Sequence, residues 1–89
     1  PVSTNEEIAW NLEVLASLEA EDHGSQDPHK IRAYRNAAEA IRGLDFEVTN
    51  GSDISQGPRK VKGIGKSIAA KIDELIVTGK IQRIRDLSE

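Results

Sequence analysis

The stretch Val61-Lys62-Gly63-Ile64-Gly65-Lys66-Ser67-Ile68-Ala69-Ala70-Lys71-Ile72 places two glycines one residue apart, directly before an apolar pattern at helical spacing. Glycine tolerates positive φ, so Gly63 and Gly65 allow a sharp turn, Ile64 pins that turn to a core, and a helix starts at once. Such a turn aims backbone N–H groups and the positive end of a helix dipole outward, which suits a phosphate. Arg59, Lys60, Lys62 and Lys66 surround it. Contacts of this kind grip a nucleic-acid backbone without reading bases, so binding should tolerate any sequence and weaken steeply with salt.

Lys71 is the second chemical candidate. It falls on the flank of the stripe formed by Ile68, Ala69, Ile72, Leu75 and Ile76, where its stem packs on apolar surface, whereas Lys66 points to water. A lysine so placed is ordinarily a solubilising residue. It can also act as a nucleophile toward an aldehyde if the amine is neutral, a state favoured by partial desolvation and by nearby cations such as Lys30, Arg35 and Arg59, should their helix pack alongside.

Other chemistries are excluded. There is no cysteine, hence no disulfide, thiolate zinc site or thiol catalysis. His23 and His29 are not at i, i+3 or i, i+4 spacing and no acidic cluster accompanies them, which argues against a dedicated metal site. Two-metal nucleotidyl transfer needs clustered carboxylates, and no Asp-x-Asp occurs. Three aromatics are too few for a base-stacking platform.

The elements that must position these residues read as helices. Ser3 with Glu6, or Thr4 with Glu7, has capping-box spacing, Ile8, Leu12, Leu15 and Leu18 share one face, and Gly24 closes the helix. After a polar linker from Gly24 to Gln26, Asp27 is an N-cap and Pro28 the first helical residue of a second helix, which turns Ile31, Tyr34, Ala38 and Ile41 inward and stops at Gly43. His29 opens that helix, where exposure alone accounts for it. Leu44, Phe46 and Val48 alternate but lack a partner strand, so they read as a packed extended linker; Asn50-Gly51 is a turn signal, and Ser55-Gln56-Gly57-Pro58 could cap a brief helical turn. The strong helix from Gly65 ends at Thr78-Gly79, and Ile81, Ile84 and Leu87 suggest a short final one. The expected fold is an all-α, compact bundle of four to five short helices containing one helix-hairpin-helix motif at about residues 55–79.

The 89 residues make one domain, too small to enclose a large cofactor. No stretch is long and apolar enough to span a membrane, and a monomer is expected. The net charge of −3 hides an asymmetry: residues 1–28 hold seven acids and no Lys or Arg, and the rest carries all 12 bases against eight acids. That basic remainder coincides with the hairpin, so the expected DNA face is 29–35 with 59–71, and the acidic segment should lie away from phosphates or serve another partner.

Residues 5–89 resemble the N-terminal lyase domain of the family X DNA polymerases, the polymerase beta type. Two blocks carry the resemblance: His29-Lys30-Ile31-Arg32-Ala33-Tyr34-Arg35-Asn36-Ala37-Ala38, and Gly63-Ile64-Gly65 through Lys71-Ile72-Asp73-Glu74-Leu75-Ile76-Val77-Thr78-Gly79-Lys80. The resemblance implies a domain excised from a longer polymerase, a reading that the lack of any methionine also suggests. Such a domain binds the 5′-phosphate side of gapped or nicked DNA and removes 5′-deoxyribose phosphate by Schiff-base β-elimination in base excision repair. It further implies Lys71 as nucleophile and His29, Lys30, Tyr34 and Arg59 around the phosphate and sugar. Arg35, Lys60, Gly63, Gly65, Lys66 and Ser67 complete the DNA-binding set, and the carbonyls of Arg59, Val61 and Ile64 would hold Na+ or K+, with no other cofactor. The chain departs from the family at Ser67 and Arg83, which stand where lysines are often found, and at Gly57-Pro58, which is expected to interrupt the short helix before the hairpin. The alternative is a non-catalytic helix-hairpin-helix module that positions DNA, as in the similar N-terminal domains of structure-specific junction endonucleases. A third function, protein docking through the acidic first helix, would require an exposed apolar patch near Trp10.

Overall fold

Thr4 starts the chain's first helix with the capping box its spacing offers, Thr4 Oγ1 accepting the Glu7 N–H at 3.2 Å while the Glu7 carboxylate accepts from the Thr4 N–H. A computed structural model describes residues 4–22, 24 and 27–88, so the alternative cap at Ser3, the linker residues Ser25 and Gln26, and His23 lie outside the described residues. Helix α1 spans Asn5–Glu21 and buries Ile8, Leu12 and Leu15, with Leu18 only half-buried. It stops at Asp22 and not at Gly24: the Asp22 N–H already closes on the Leu18 carbonyl from an extended conformation, so no left-handed residue is needed.

Helix α2, Pro28–Arg42, begins on Asp27, whose carboxylate accepts the His29 and Lys30 N–H groups, and ends at Gly43. Tyr34, Ala37, Ala38 and Ile41 are buried and Ile31 half-buried. The two helices pack on each other, and Arg42 joins them at the rim by bridging Glu6 and Glu13. Hydrogen bonds from the Arg42 guanidinium hold both carboxyls below the usual glutamate range.

The segment after α2 is extended, with Val48 fully buried. Asn5 stands in for a partner strand: its Nδ2 donates to the Phe46 carbonyl at 2.7 Å and its Oδ1 accepts the Val48 N–H at 2.8 Å. The Asn50-Gly51 pair, expected as a turn, instead starts a short helix, α3, Gly51–Ser55, because Asn50 Oδ1 accepts the Asp53 N–H at 2.8 Å. The Ser55-Gln56-Gly57-Pro58 run closes that helix from its C-terminal end: Ser55 is its last residue and Gln56 its C-cap, whose N–H donates to the Ser52 carbonyl at 3.2 Å. Gly57-Pro58 lies beyond α3 and so does not break it.

Helix α4, Lys66–Thr78, packs against α3 and ends on left-handed Gly79. The Thr78 hydroxyl donates to the Glu74 carbonyl, and the Glu74 carboxylate accepts the Gln82 N–H at 2.8 Å, which starts α5, Gln82–Ser88. Helix α5 has no fully buried residue; it docks on α1 through Ile84, Leu87 and the Arg83–Glu19 pair. One core joins the five helices, and the fold is all-α with no strand among the described residues.

The α3–α4 approach is the tightest packing constraint. A Cβ on Gly51 would meet the carbonyl oxygen, carbonyl carbon and Cα of Ala69, all closer than 3.0 Å. The Gly51 N–H also donates to the Asp73 carboxylate at 2.6 Å. Backbone cannot yield as a side chain can, so Gly51→Ala should lower the stability measured by denaturant unfolding by at least about 2 kcal/mol. A near-neutral result would contradict this packing.

Candidate nucleic-acid interface

Between α3 and α4 the chain makes two consecutive turns. Lys60 N–H closes the first on the Gly57 carbonyl at 3.2 Å, and Ile64 N–H closes the second on the Val61 carbonyl at 3.1 Å. Gly63 (φ 93), the third residue of the second turn, carries the left-handed backbone that turn requires, and Gly57 (φ 82) turns the chain out of α3 into the first. Gly65 is not left-handed: its φ is −102, so of the two glycines expected to turn with positive φ only Gly63 does so. The hairpin is tied down at its middle by the Val61 N–H to the Ile54 carbonyl at 2.7 Å and by Ile64, which is fully buried.

Glycine at position 65 then needs another reason. An added Cβ there meets nothing within 4 Å, and any residue can adopt its backbone conformation. Helices α1, α2 and α3 begin on the side chains of Thr4, Asp27 and Asn50, and α5 on the Glu74 carboxylate. Helix α4 begins on bare Gly65 with no side-chain cap. Its first N–H groups face outward beside exposed Gly63, Lys66 and Ser67, an unoccupied positive helix end with room for a ligand backbone to approach. A phosphate can cap what no side chain caps.

The charged residues fall into two groups. Arg59, Lys60, Lys62 and Lys66 are exposed around the hairpin. Arg59 is steadied there, its guanidinium 3.7 Å above the Phe46 ring centroid and its Nε 3.6 Å from Asp53. Lys66 lines a shallow cleft of about 230 Å³ with Ser52, Ser55, Gln56 and Asp73. Ser67 and Lys71 lie one turn apart on α4, and Lys71, half-buried, makes no ion pair or hydrogen bond with a described residue.

The second group is on the α1–α2 side. His29 and Arg35 are exposed, and Lys30 lies 3.9 Å from the Glu19 carboxylate. Glu19 is fully buried and accepts from Arg83 Nε at 2.8 Å; Arg83 also approaches Asp22. Two acids of the first segment are thus paired with bases, Glu19 with Lys30 and Arg83 and Asp22 with Arg83. Glu19 was legible as one sign only, an acid that continues the Leu12, Leu15 stripe. Tyr34 is buried with its hydroxyl unpaired, and burial, reinforced by the nearby Glu19 charge, pushes its pKa up. Helix α2 packs chiefly on α1, so Lys30 and Arg35 are positioned by α1 and not by α4. Among the described residues no three His, Cys, Asp or Glu side chains cluster as a metal site requires, and no helix is long and apolar enough to cross a membrane.

The family model of the helix-hairpin-helix domain matches residues 3–81. This chain belongs to that family. Membership implies a DNA-binding domain. Gly65→Ala should therefore leave unfolding stability within about 1 kcal/mol yet weaken binding to a short DNA duplex about tenfold, the equivalent of one lost hydrogen bond to a charged group. Unchanged affinity in a folded variant would show that phosphate does not approach Gly65.

Proposed function

We propose that this helix-hairpin-helix domain binds the 5′ side of gapped or nicked DNA and acts there as a 5′-deoxyribose-phosphate lyase. The observation that carries the reading is Lys71. Of the bases between residues 59 and 71 it alone is not exposed, and no carboxylate of a described residue holds it. Partial loss of hydration without a counter-ion is the general condition under which a lysine amine serves as a nucleophile. The resemblance of both sequence blocks to the lyase domain of family X DNA polymerases agrees with this role.

In this mechanism the hairpin N–H groups and Lys66 grip the DNA backbone, while His29, Lys30, Arg35, Arg59 and Lys60 draw in the 5′-phosphate. Lys71 Nζ attacks C1′ of the ring-opened sugar, water leaves, and an imine forms. Loss of the C2′ proton to a base breaks the C3′–O bond, so the DNA departs with a 5′-phosphate; water then hydrolyses the imine and returns the amine. The hairpin carbonyls of Arg59, Val61 and Ile64 would hold Na+ or K+: those of Arg59 and Ile64 accept no backbone hydrogen bond from a described residue, and that of Val61 accepts one. Such a cation supplies positive charge beside the backbone.

Incubation with DNA carrying a 5′-deoxyribose phosphate, followed by borohydride, traps an imine as a stable link. A covalent adduct is expected from the native domain and from Lys66→Ala but not from Lys71→Ala. No adduct, with salt-sensitive binding to gapped DNA intact, would contradict the lyase reading and leave a DNA-positioning module.

A further inference from the structure

The side of α1 turned away from the core carries two parallel rows. Trp10, Val14 and Leu18 follow at intervals of four, and Glu13, Ser17 and Glu21 run beside them at the same interval. Together they line a groove of about 240 Å³. Trp10 is 58% exposed although it is the largest apolar side chain in the protein. The residues that α1 buries, Ile8, Leu12, Leu15, Ala16 and Glu19 among them, lie on the opposite side of the helix. Nothing in the DNA-binding surface uses this face.

Its charge selects the occupant. The groove holds two carboxylates and no cation, in a segment of 28 residues that has no Lys or Arg. Glu21 makes no ion pair with a described residue, and Glu13 shares the single Arg42 with Glu6. Phosphates are repelled by such a surface. Its geometry is equally selective, because rows at i, i+4 and i+8 form a straight ridge about 12 Å long, the length of roughly two helical turns, and ridges of this kind pack against another helix.

We infer that the outer face of α1 docks an amphipathic helix of a second protein, which sets apolar side chains against Trp10, Val14 and Leu18 and Lys or Arg against Glu13 and Glu21. Trp10 is the anchor, a flat side chain that buries a large area with little loss of conformational freedom. Because this face and the hairpin are separate surfaces, a partner can be held while DNA is bound.

Trp10 is the sole tryptophan, so its fluorescence reports docking directly. The probe is a synthetic peptide of about 14 residues, two heptads, with Leu at helical spacing flanked by Lys; the control has the same composition without that period. A saturable blue shift with the amphipathic peptide is expected, with affinity at least tenfold weaker, about 1.4 kcal/mol, for the control peptide and for the Val14→Asp and Glu21→Lys variants. DNA affinity should be unchanged in Val14→Asp, which also shows that the variant is folded. Absence of a shift, equal binding of both peptides, or the same shift caused by duplex DNA would overturn the proposal. A concentration-dependent shift of the protein alone would also overturn it, assigning the face to a second copy of this chain.

Discussion

The approach of Gly51 to Ala69 governs the geometry of the hairpin. Two helices whose backbones touch leave no room for a side chain between them, so α3 and α4 can meet in only one way. The Gly51 N–H to Asp73 bond and the Val61 N–H to Ile54 bond fix that arrangement from either side. With both helix ends set, the ten residues between them must turn twice, and the left-handed glycines 57 and 63 permit it. The exposed N-terminus of α4 is the result. The aspartate and glutamate of the Ile72-Asp73-Glu74 run contribute to this frame, Asp73 by holding α3 and Glu74 by starting α5.

Charge is arranged with the same economy. An overall balance of −3 conceals a basic hairpin because the acids are spent internally: Glu6 and Glu13 on Arg42, Glu19 on Lys30 and Arg83, and Asp27 on the start of α2. Glu19 is the costliest of these, since a buried carboxylate is tolerated only when paired and hydrogen-bonded. Its pairing also joins α1, α2 and α5, three elements that meet few other polar groups in the core. Among the described residues the one ion pair made by a hairpin base is Arg59 with Asp53, which leaves a positive surface where the backbone donors are.

Much of this was written locally and could be read. The Thr4–Glu7 box, the Asp27-Pro28 start, the Thr78-Gly79 stop and the Ile68–Ile76 stripe all depend on neighbours within a turn or two, and the helices formed where those signals stand. Helix α3 was obscured because asparagine before glycine serves a turn as readily as a helix start, and the choice is made by Ala69 and Asp73 on another helix. Gly65 was misread for a related reason: glycine suggests positive φ, whereas here its service is empty space in front of a helix end. The partners of Glu19 come from elements far along the chain, so its burial could not be inferred from spacing alone.

We propose that DNA is held by the hairpin backbone and the bare start of α4. Amide chemical shifts followed while a short duplex is titrated at low and then at raised salt test it most directly. The amides of Gly63, Gly65, Lys66 and Ser67 should move most, the changes should reverse as salt rises, and the Trp10 indole should stay still. Shifts centred on α1, or hairpin amides that do not respond to DNA, would contradict it.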